Sequence, residues 1–486
     1  MYILKNIWHL KDHYPVLISF LVVSPVILCL NLIHADFTFY YDSLGYWAHS
    51  SFFIKNGFFS FLNYDFPLRG YLFSFLIFVI SNLSQLVRIP PHIGYEVLAS
   101  LTFGASITIV IPEVVSILFH KKIAFLQILL FSFLALYFWR GFFFYPLTDL
   151  PAFFFVILGI YILLKFANHW WMVVFTGLLW GGSTLLRPSY VISLMPVLCW
   201  GWYYYRGEIN LRLWPIVARF LAILAGLILV FTPQVATNLK NYGIFSPFTQ
   251  TQLFYNGSDL FSIQLGWGLD LQKYETNIGT TYPSPQVRFL DSQGDSILVK
   301  SGYKSSVDGV QQIGPDHPLT PEKYLELVSK YPLDFIVIYE RHLFNGLDII
   351  YDTPYVTNIY ANALLRRFIN YSIWFLAVIY VASKISTKRI RLISSELFLP
   401  AILALPSLLS IPTAIEVRFM LPLHFMVYTL VAFWILPGFF SLDVAKKKDI
   451  ILRHLFFYAC FLVLCFMLSA NTYMGLEYGS YVFSAR

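Results

Sequence analysis

Six side chains in this sequence stand within a few residues of long apolar stretches and carry the charge that chemistry needs: Asp42, Asp149, Arg187, Lys240, Glu416 and Arg418. A carboxylate can take the proton of an attacking hydroxyl, and a cation can hold a departing phosphate. Arginine suits a phosphate because its fork makes paired hydrogen bonds. Asp42 lies in FYYDSLGYWAHSSFFIKNGFFSFLNYDFPLRGY, from Phe39 to Tyr71. There Leu44, Trp47, Ser51 and Phe52 recur at helical spacing, while Asp42, Tyr46 and His49 share another face. Such a helix lies on a membrane surface with its polar side toward water. Asp42 is read as the catalytic carboxylate, with Tyr46 beside it; the bland reading is a helix N-cap. Asp149, before Pro151, has the same two readings. Arg187, before Pro188, either holds a phosphate or snorkels to the interface. Glu416 and Arg418 either line the site or pair only with each other. Lys240 is a phosphate contact or a solvated interface lysine. His34 reads as an interfacial side chain, and Asp36 and Asp65 are reserve carboxylates. Asp42 and Asp149 offer the oxygen ligands that a divalent metal takes, but no dense acidic cage accompanies them.

The elements that must position these residues are membrane helices. The chain has 486 residues, 58% hydrophobic and 12% charged, against roughly 25% charged in a soluble domain. Its mean hydropathy is +0.66. The net charge of +7 is no nucleic-acid signal, because Lys and Arg fall in short clusters between apolar spans, where they set orientation. Cys29, Cys199, Cys460 and Cys465 form neither a metal motif nor a disulfide framework. The first span, Tyr14 to Ile33, lacks a small-residue cleavage site and reads as an uncleaved helix.

Lys5 and Lys11 place the N-terminus inside, and the Phe39–Tyr71 loop outside. Basic clusters at Lys121–Lys122, Lys165, Arg206, Arg212, Lys384–Arg391 and Lys446–Lys448 then all lie inside if Tyr71–Val87 lies in the membrane surface instead of crossing. Further spans run over 97–119, 123–138, 150–165, 171–186, 190–205, 215–231, 368–382, 397–411, 420–436 and 455–470. The expected fold is an all-α multi-pass membrane protein of about eleven spans, each near the 20 residues a bilayer needs, with interfacial helices in the first outer loop. Three regions follow: a membrane module over 1–237 with its loop at 35–92, an outer loop with interfacial helices over 238–354, and membrane helices over 355–486. Thr320-Pro321 and Pro332 open two amphipathic helices in the second region.

The loop sequence YYDSLGYWAHSSFFIKNGFF, followed by FPLRGYLFSFL, resembles the first outer loop of the GT-C superfamily of polyprenyl-phosphate-sugar-dependent glycosyltransferases. TDLPAFFFVILGIYILL, GGSTLLRPSYVISLMPVL, TPQVATNLKNYGIFSPFTQT and EVRFMLPL extend the resemblance in order along most of the chain. It is nearest to bacterial members related to the protein O-mannosyltransferases and to the enzyme adding aminoarabinose to lipid A. The resemblance implies Asp42 as catalytic base, Asp149 as a second acidic site residue and Arg187 as a contact for the carrier phosphate. Where relatives carry Trp and Arg-Asn, this chain has Gln234, Thr237 and Asn238, so one phosphate contact is missing from the pattern.

The expected reaction moves a sugar from a polyprenyl phosphate to a hydroxyl of a lipid, glycan or protein acceptor at the outer face of the cell (inner or plasma) membrane. Asp42 would act as base and the anomeric configuration would invert. A surface-polysaccharide polymerase or ligase, or a transporter of lipid-linked sugars, is the alternative. The transporter expects broken helices and mid-membrane polar groups.

Overall fold

Eight helices among the described residues are long and apolar enough to cross a membrane. The computed structural model describes residues 14–33, 38–207, 213–255, 257–302, 319–386 and 395–477. Lys5, Lys11, His34, Asp36 and Arg212 lie outside the described residues. The protein is mostly helical and membrane-embedded. Each long helix coincides with one expected span. The three other expected spans fall on helices of 17, 17 and 16 residues.

The chain divides into two compact units. The first contains residues 1–249, 380–406 and 425–440. It opens with α1 (Pro15–Ile33), apolar on all sides as a helix in lipid should be. The first loop folds as a short helix, α2 (Tyr41–His49), a 3-10 turn over Ser50–Phe53, and a two-stranded hairpin of β1 (Ile54–Lys55) and β2 (Phe58–Phe59). Asn56 and Gly57 form the turn at φ 54° and 80°, the left-handed pair that a tight hairpin demands.

Next comes α3 (Tyr71–Leu86), whose 16 residues span about 24 Å, short of the roughly 30 Å hydrocarbon layer. The following helix, α4 (Pro91–Leu118), carries a π-segment over Ser106–Val110 just before Pro112. Proline cannot donate the next helical hydrogen bond, and the extra residue absorbs that break. Then follow α5 (Phe125–Phe144), α6 (Asp149–Phe166), α7 (Trp170–Leu186), α8 (Val191–Gly207) and α9 (Leu213–Tyr242).

The α7–α9 crossing is tight because glycine meets glycine. A Cβ on Gly177 would run into the Ile223 carbonyl, and one on Gly226 into the Val174 carbonyl. Small residues let membrane helices approach in this way, where no hydrophobic drive joins them. Residues 425–440 also pack in this unit. Their π-segment, Val431–Ile435, frees the Phe433 carbonyl, which accepts from Lys121 Nζ at 2.5 Å and Gln127 Nε2 at 3.1 Å.

The second unit contains residues 250–379, 407–424 and 441–486. The long polar segment after α9 folds as α10 (Leu260–Asp270), β3 (Leu271–Asn277), β4 (Gln286–Leu290) and α11 (Ser292–Lys300). The amphipathic pair expected from the two prolines is α12 (Pro321–Lys330) and α13 (Pro332–Leu347). Their apolar stripes close on α10 and α11 through Leu269, Ile297, Tyr324, Leu327, Phe335 and Ile338. β3 pairs antiparallel with β4 and parallel with β5 (Tyr355–Val356). The remaining helices are α14 (Leu364–Ser386), α15 (Ser395–Ser410), α16 (Val417–Phe440) and α17 (Val444–Met474). α14 and α16 are divided between the two units, and α15 lies mostly in the first. Beyond α17, Leu476 bridges to Phe289 and so extends the sheet.

Candidate functional site

Asp42 occupies the first turn of α2, next to Tyr41 at φ 44°. That left-handed backbone is rare for a bulky residue and costs on the order of 1–3 kcal/mol. Ser43 fixes the helix start, with its Oγ accepting from the Tyr40 amide at 3.0 Å and donating to the Tyr40 carbonyl at 2.6 Å. Asp42 Oδ1 accepts from Arg69 Nη2 at 2.5 Å. Tyr46, one turn on, is buried with its edge against Phe73, and the Arg69 guanidinium lies 5.4 Å over its ring. The face shared by Asp42 and Tyr46 therefore holds Arg69, and Tyr46 turns inward instead of toward water. Leu44, of the expected apolar face, is exposed at 51%.

His49, on the same face, stacks on Phe66 with ring centroids 3.9 Å apart. Burial, and then the Arg69 charge, hold its imidazole below the ordinary value. Its Nδ1 is buried without a hydrogen-bond partner.

Arg69 leads directly into α3, and three contacts fix that entry. Gly70 lies so close to α7 that a Cβ there would stand 2.9 Å from the Leu185 carbonyl. The Tyr71 amide donates to Gln234 Oε1 at 3.1 Å, and the Tyr71 hydroxyl to the Val230 carbonyl at 2.9 Å. The last turns of α9 then stitch down the rest of the loop. Thr237 Oγ1 donates to Phe61 O at 3.2 Å, Lys240 Nζ to Leu62 O at 3.3 Å, Asn241 Nδ2 to Tyr64 O at 2.9 Å, and the Tyr242 hydroxyl to Asp65 Oδ1 at 2.7 Å. Gln234 also bonds Asn238, whose amide closes on the Ser246 and Phe248 carbonyls. Gln234 and Thr237 are thus buried anchors of the loop, Asn238 ties the turn that follows α9, and Lys240 serves the same stitching as Thr237.

Asp149 begins α6 and is buried, and it forms an ion pair with Arg187. α6 and α7 are consecutive, antiparallel helices, so the start of one meets the end of the other. Pro188 disfavours a helical Arg187; its backbone is extended at φ −145°, ψ 105°, which ends α7 there. The Gly70–Leu185 approach brings the two pairs, Asp42–Arg69 and Asp149–Arg187, into one region of the first unit. Arg69 is the member that helical periodicity does not single out. Its signal is the Pro-Leu-Arg-Gly-Tyr turn, where a cation immediately precedes a glycine pressed against another helix.

Glu416 and Arg418 belong to the second unit and bind each other in a fork, Nε to Oε2 at 2.8 Å and Nη2 to Oε1 at 3.0 Å. They adjoin β3, whose Tyr274 amide donates to the Ile415 carbonyl. Lys273 and Glu275 of that strand are buried, 3.1 Å apart. Burial pushes the Glu275 carboxyl above its ordinary range, the Lys273 charge pulls it back, and the Glu416 charge adds to the rise. Among the described residues, no group of three or more His, Cys, Asp and Glu side chains is placed to hold a metal ion.

The chain matches no family model and no curated protein.

Proposed function

We propose that this protein is a GT-C type glycosyltransferase. It moves a sugar from a polyprenyl-phosphate carrier to an acceptor hydroxyl at the extracytoplasmic membrane face. The observation that carries the reading is the pairing of Asp42, in the loop directly after the first membrane helix, with Arg69, beside a second acid–arginine pair. The acceptor oxygen attacks the anomeric carbon as the bond to the carrier phosphate breaks. The hydroxyl proton passes to Asp42, and the polyprenyl phosphate leaves with the electron pair. Attack in line inverts the configuration. Arg187 and Arg69 each carry five donors, enough to serve a phosphate and a carboxylate together. In this reading the N-terminus is cytoplasmic, and the second unit selects the acceptor.

The test incubates wild type and Asp42→Asn with polyprenyl-phosphate sugars and a membrane extract, and follows free polyprenyl phosphate. Release by wild type alone is expected. Equal release by a folded Asp42→Asn protein would remove Asp42 from the chemistry.

One observation favours transport as the second reading. Glu96, within α4, is fully buried and accepts from Asn31 Nδ2 of α1 at 2.9 Å, while its other oxygen has no partner. An ionisable residue inside a membrane helix marks an ion or substrate path by default. Movement of an unaltered lipid-linked sugar across vesicles would decide for it.

A further inference from the structure

The hairpin after α2 exposes what a folded protein ordinarily covers. Ile54, Phe58 and Phe59 are exposed, Phe58 at 79%, yet the hairpin is firmly built. The Ser60 amide donates to the Phe53 carbonyl, and Asn63 Nδ2 donates to the carbonyls of Phe53 and Phe58. Phe53 is fully buried, and Phe59 stacks on Phe78 at 5.4 Å. A rigid support therefore presents an apolar tip.

Three relations set the level of that tip against the membrane helices. Gly70 lies against Leu185, and Leu72 lies against Gly182, so the first turn of α3 packs on the last turns of α7. The Phe59 ring of the hairpin packs against Phe75 and stacks on Phe78, farther along α3 than Tyr71. Residues 61–65, at the hairpin base, are bonded to the final turns of the crossing helix α9. The tip thus lies beside apolar helix and not beyond its end. Leu239, in the last turns of that helix, and Phe245, just after it, are exposed as well. Lys55 and Lys240 are exposed at the margin. Aromatic rings next to cations are the composition of a membrane interface, where rings sit at headgroup level and lysines reach lipid phosphates.

We infer that the hairpin Ile54–Phe59 is a lipid-inserted finger. Its aromatic tip enters the upper acyl layer, Lys55 meets the phosphates of anionic lipids, and the loop holding Asp42 and Arg69 is pinned at the membrane surface. The inference does not depend on the reaction proposed above.

The test places a cysteine-reactive environment-sensitive fluorophore at Phe58→Cys, with the four native cysteines replaced, in nanodiscs of phosphatidylcholine and phosphatidylglycerol. Ile228→Cys on the exposed flank of α9 is the lipid reference, and Glu326→Cys on α12 is the aqueous one. Lys55→Cys is a second position on the finger, in case the tip substitution disturbs the hairpin. Doxyl-labelled lipid should quench the Phe58 probe as it does the Ile228 probe, and aqueous iodide should leave it unquenched. Iodide quenching at the level of Glu326, without doxyl quenching, would overturn the inference. Quenching by neither agent would overturn it as well, because the tip would then be covered by protein, a second copy or a partner.

Discussion

Arg69 reaches back along its own loop to place Nη2 2.5 Å from Asp42 Oδ1. Both side chains are about one-third exposed, so water screens the pair and its contribution to stability is about 0–1 kcal/mol. Its value lies in position. Asp42→Asn should leave the thermal midpoint nearly unchanged while reducing sugar transfer by about 10²–10⁴, the usual contribution of a general base. Arg69→Gln should reduce transfer too, with little effect on folding. A thermal scan and a transfer assay on the same preparations read both quantities. A large drop in midpoint for Asp42→Asn would make the residue structural.

Asp149 and Arg187 form the same kind of pair in a different setting. Both are mostly buried, and removing one partner strands the other charge. Arg187→Ala should destabilise by about 3–5 kcal/mol, well beyond either change at the exposed pair. Asp149→Leu combined with Arg187→Leu should recover much of that loss, because no unpaired charge is left behind. If Arg187→Ala melted like Asp42→Asn, the buried pair would not contribute to the fold.

Much of this was legible in the sequence. Apolar length marks the long helices, and among the described residues every one of them falls on an expected span. Asp42 and Asp149 declare themselves by standing at the ends of such spans. Pairing does not, because it joins distant residues: Arg69 reads as a flank of α3 until Gly70 is seen against Leu185. The hairpin has a local signal, Asn56-Gly57 between apolar residues, which lies just beyond the helical periodicity from Leu44 to Phe52. The segment from Asn238 reads as polar loop, whereas α9 continues to Tyr242 and the described residues beyond it include α10, β3, β4 and α11. Alternation in β3 is masked there, since Gln272, Lys273 and Glu275 are all buried. Glu96 stands just before the expected span 97–119, and nothing local hints that Asn31 lies across from it.

His49 predicts a pH dependence. Burial and Arg69 lower its folded-state pKa below the ordinary 6.5. Above that value the imidazole is neutral in both folded and unfolded chains, and its contribution is complete. As pH falls below it, the unfolded chain takes up a proton that the folded one resists, so stability declines. His49→Gln should flatten this part of the profile. The difference between wild type and His49→Gln is the quantity to measure, since Glu275, raised by burial, contributes with the opposite sign. An unchanged slope in the variant would mean that His49 titrates normally.

Lys273 is 1% exposed and stands 3.1 Å from Glu275 and 3.5 Å from the Asp348 carbonyl. Lys273→Met leaves Glu275 buried beside Glu416 with its nearest counter-charge gone. A loss of about 3–5 kcal/mol is expected at neutral pH. It should shrink as pH falls, because protonation neutralises the stranded acid. Lys273→Met with Glu275→Leu should melt close to wild type. A double variant no better than the single would show that the lysine acts through the Asp348 carbonyl instead.

Gly70 tests whether the two acid–arginine pairs work as one site. An alanine Cβ would stand 2.9 Å from Leu185 O and 3.6 Å from Gln234 Oε1. The first distance is closer than real Cβ atoms come, and a backbone carbonyl cannot swing aside. The backbone at φ −66° tolerates alanine, so any effect comes from the contact and not from backbone strain. Relief requires the Arg69–Tyr71 entry to move away from α7, carrying Arg69 and Asp42 away from Arg187. A displacement near 1 Å at a reacting centre can cost about 10² in rate. Gly70→Ala should therefore lose most sugar transfer while the protein still folds, with the loss in kcat more than in KM. Gly177→Ala, at the α7–α9 crossing, should instead lower the thermal midpoint, because its Cβ would meet the Ile223 carbonyl inside the helix interface. Full transfer by Gly70→Ala would mean that the two pairs act independently.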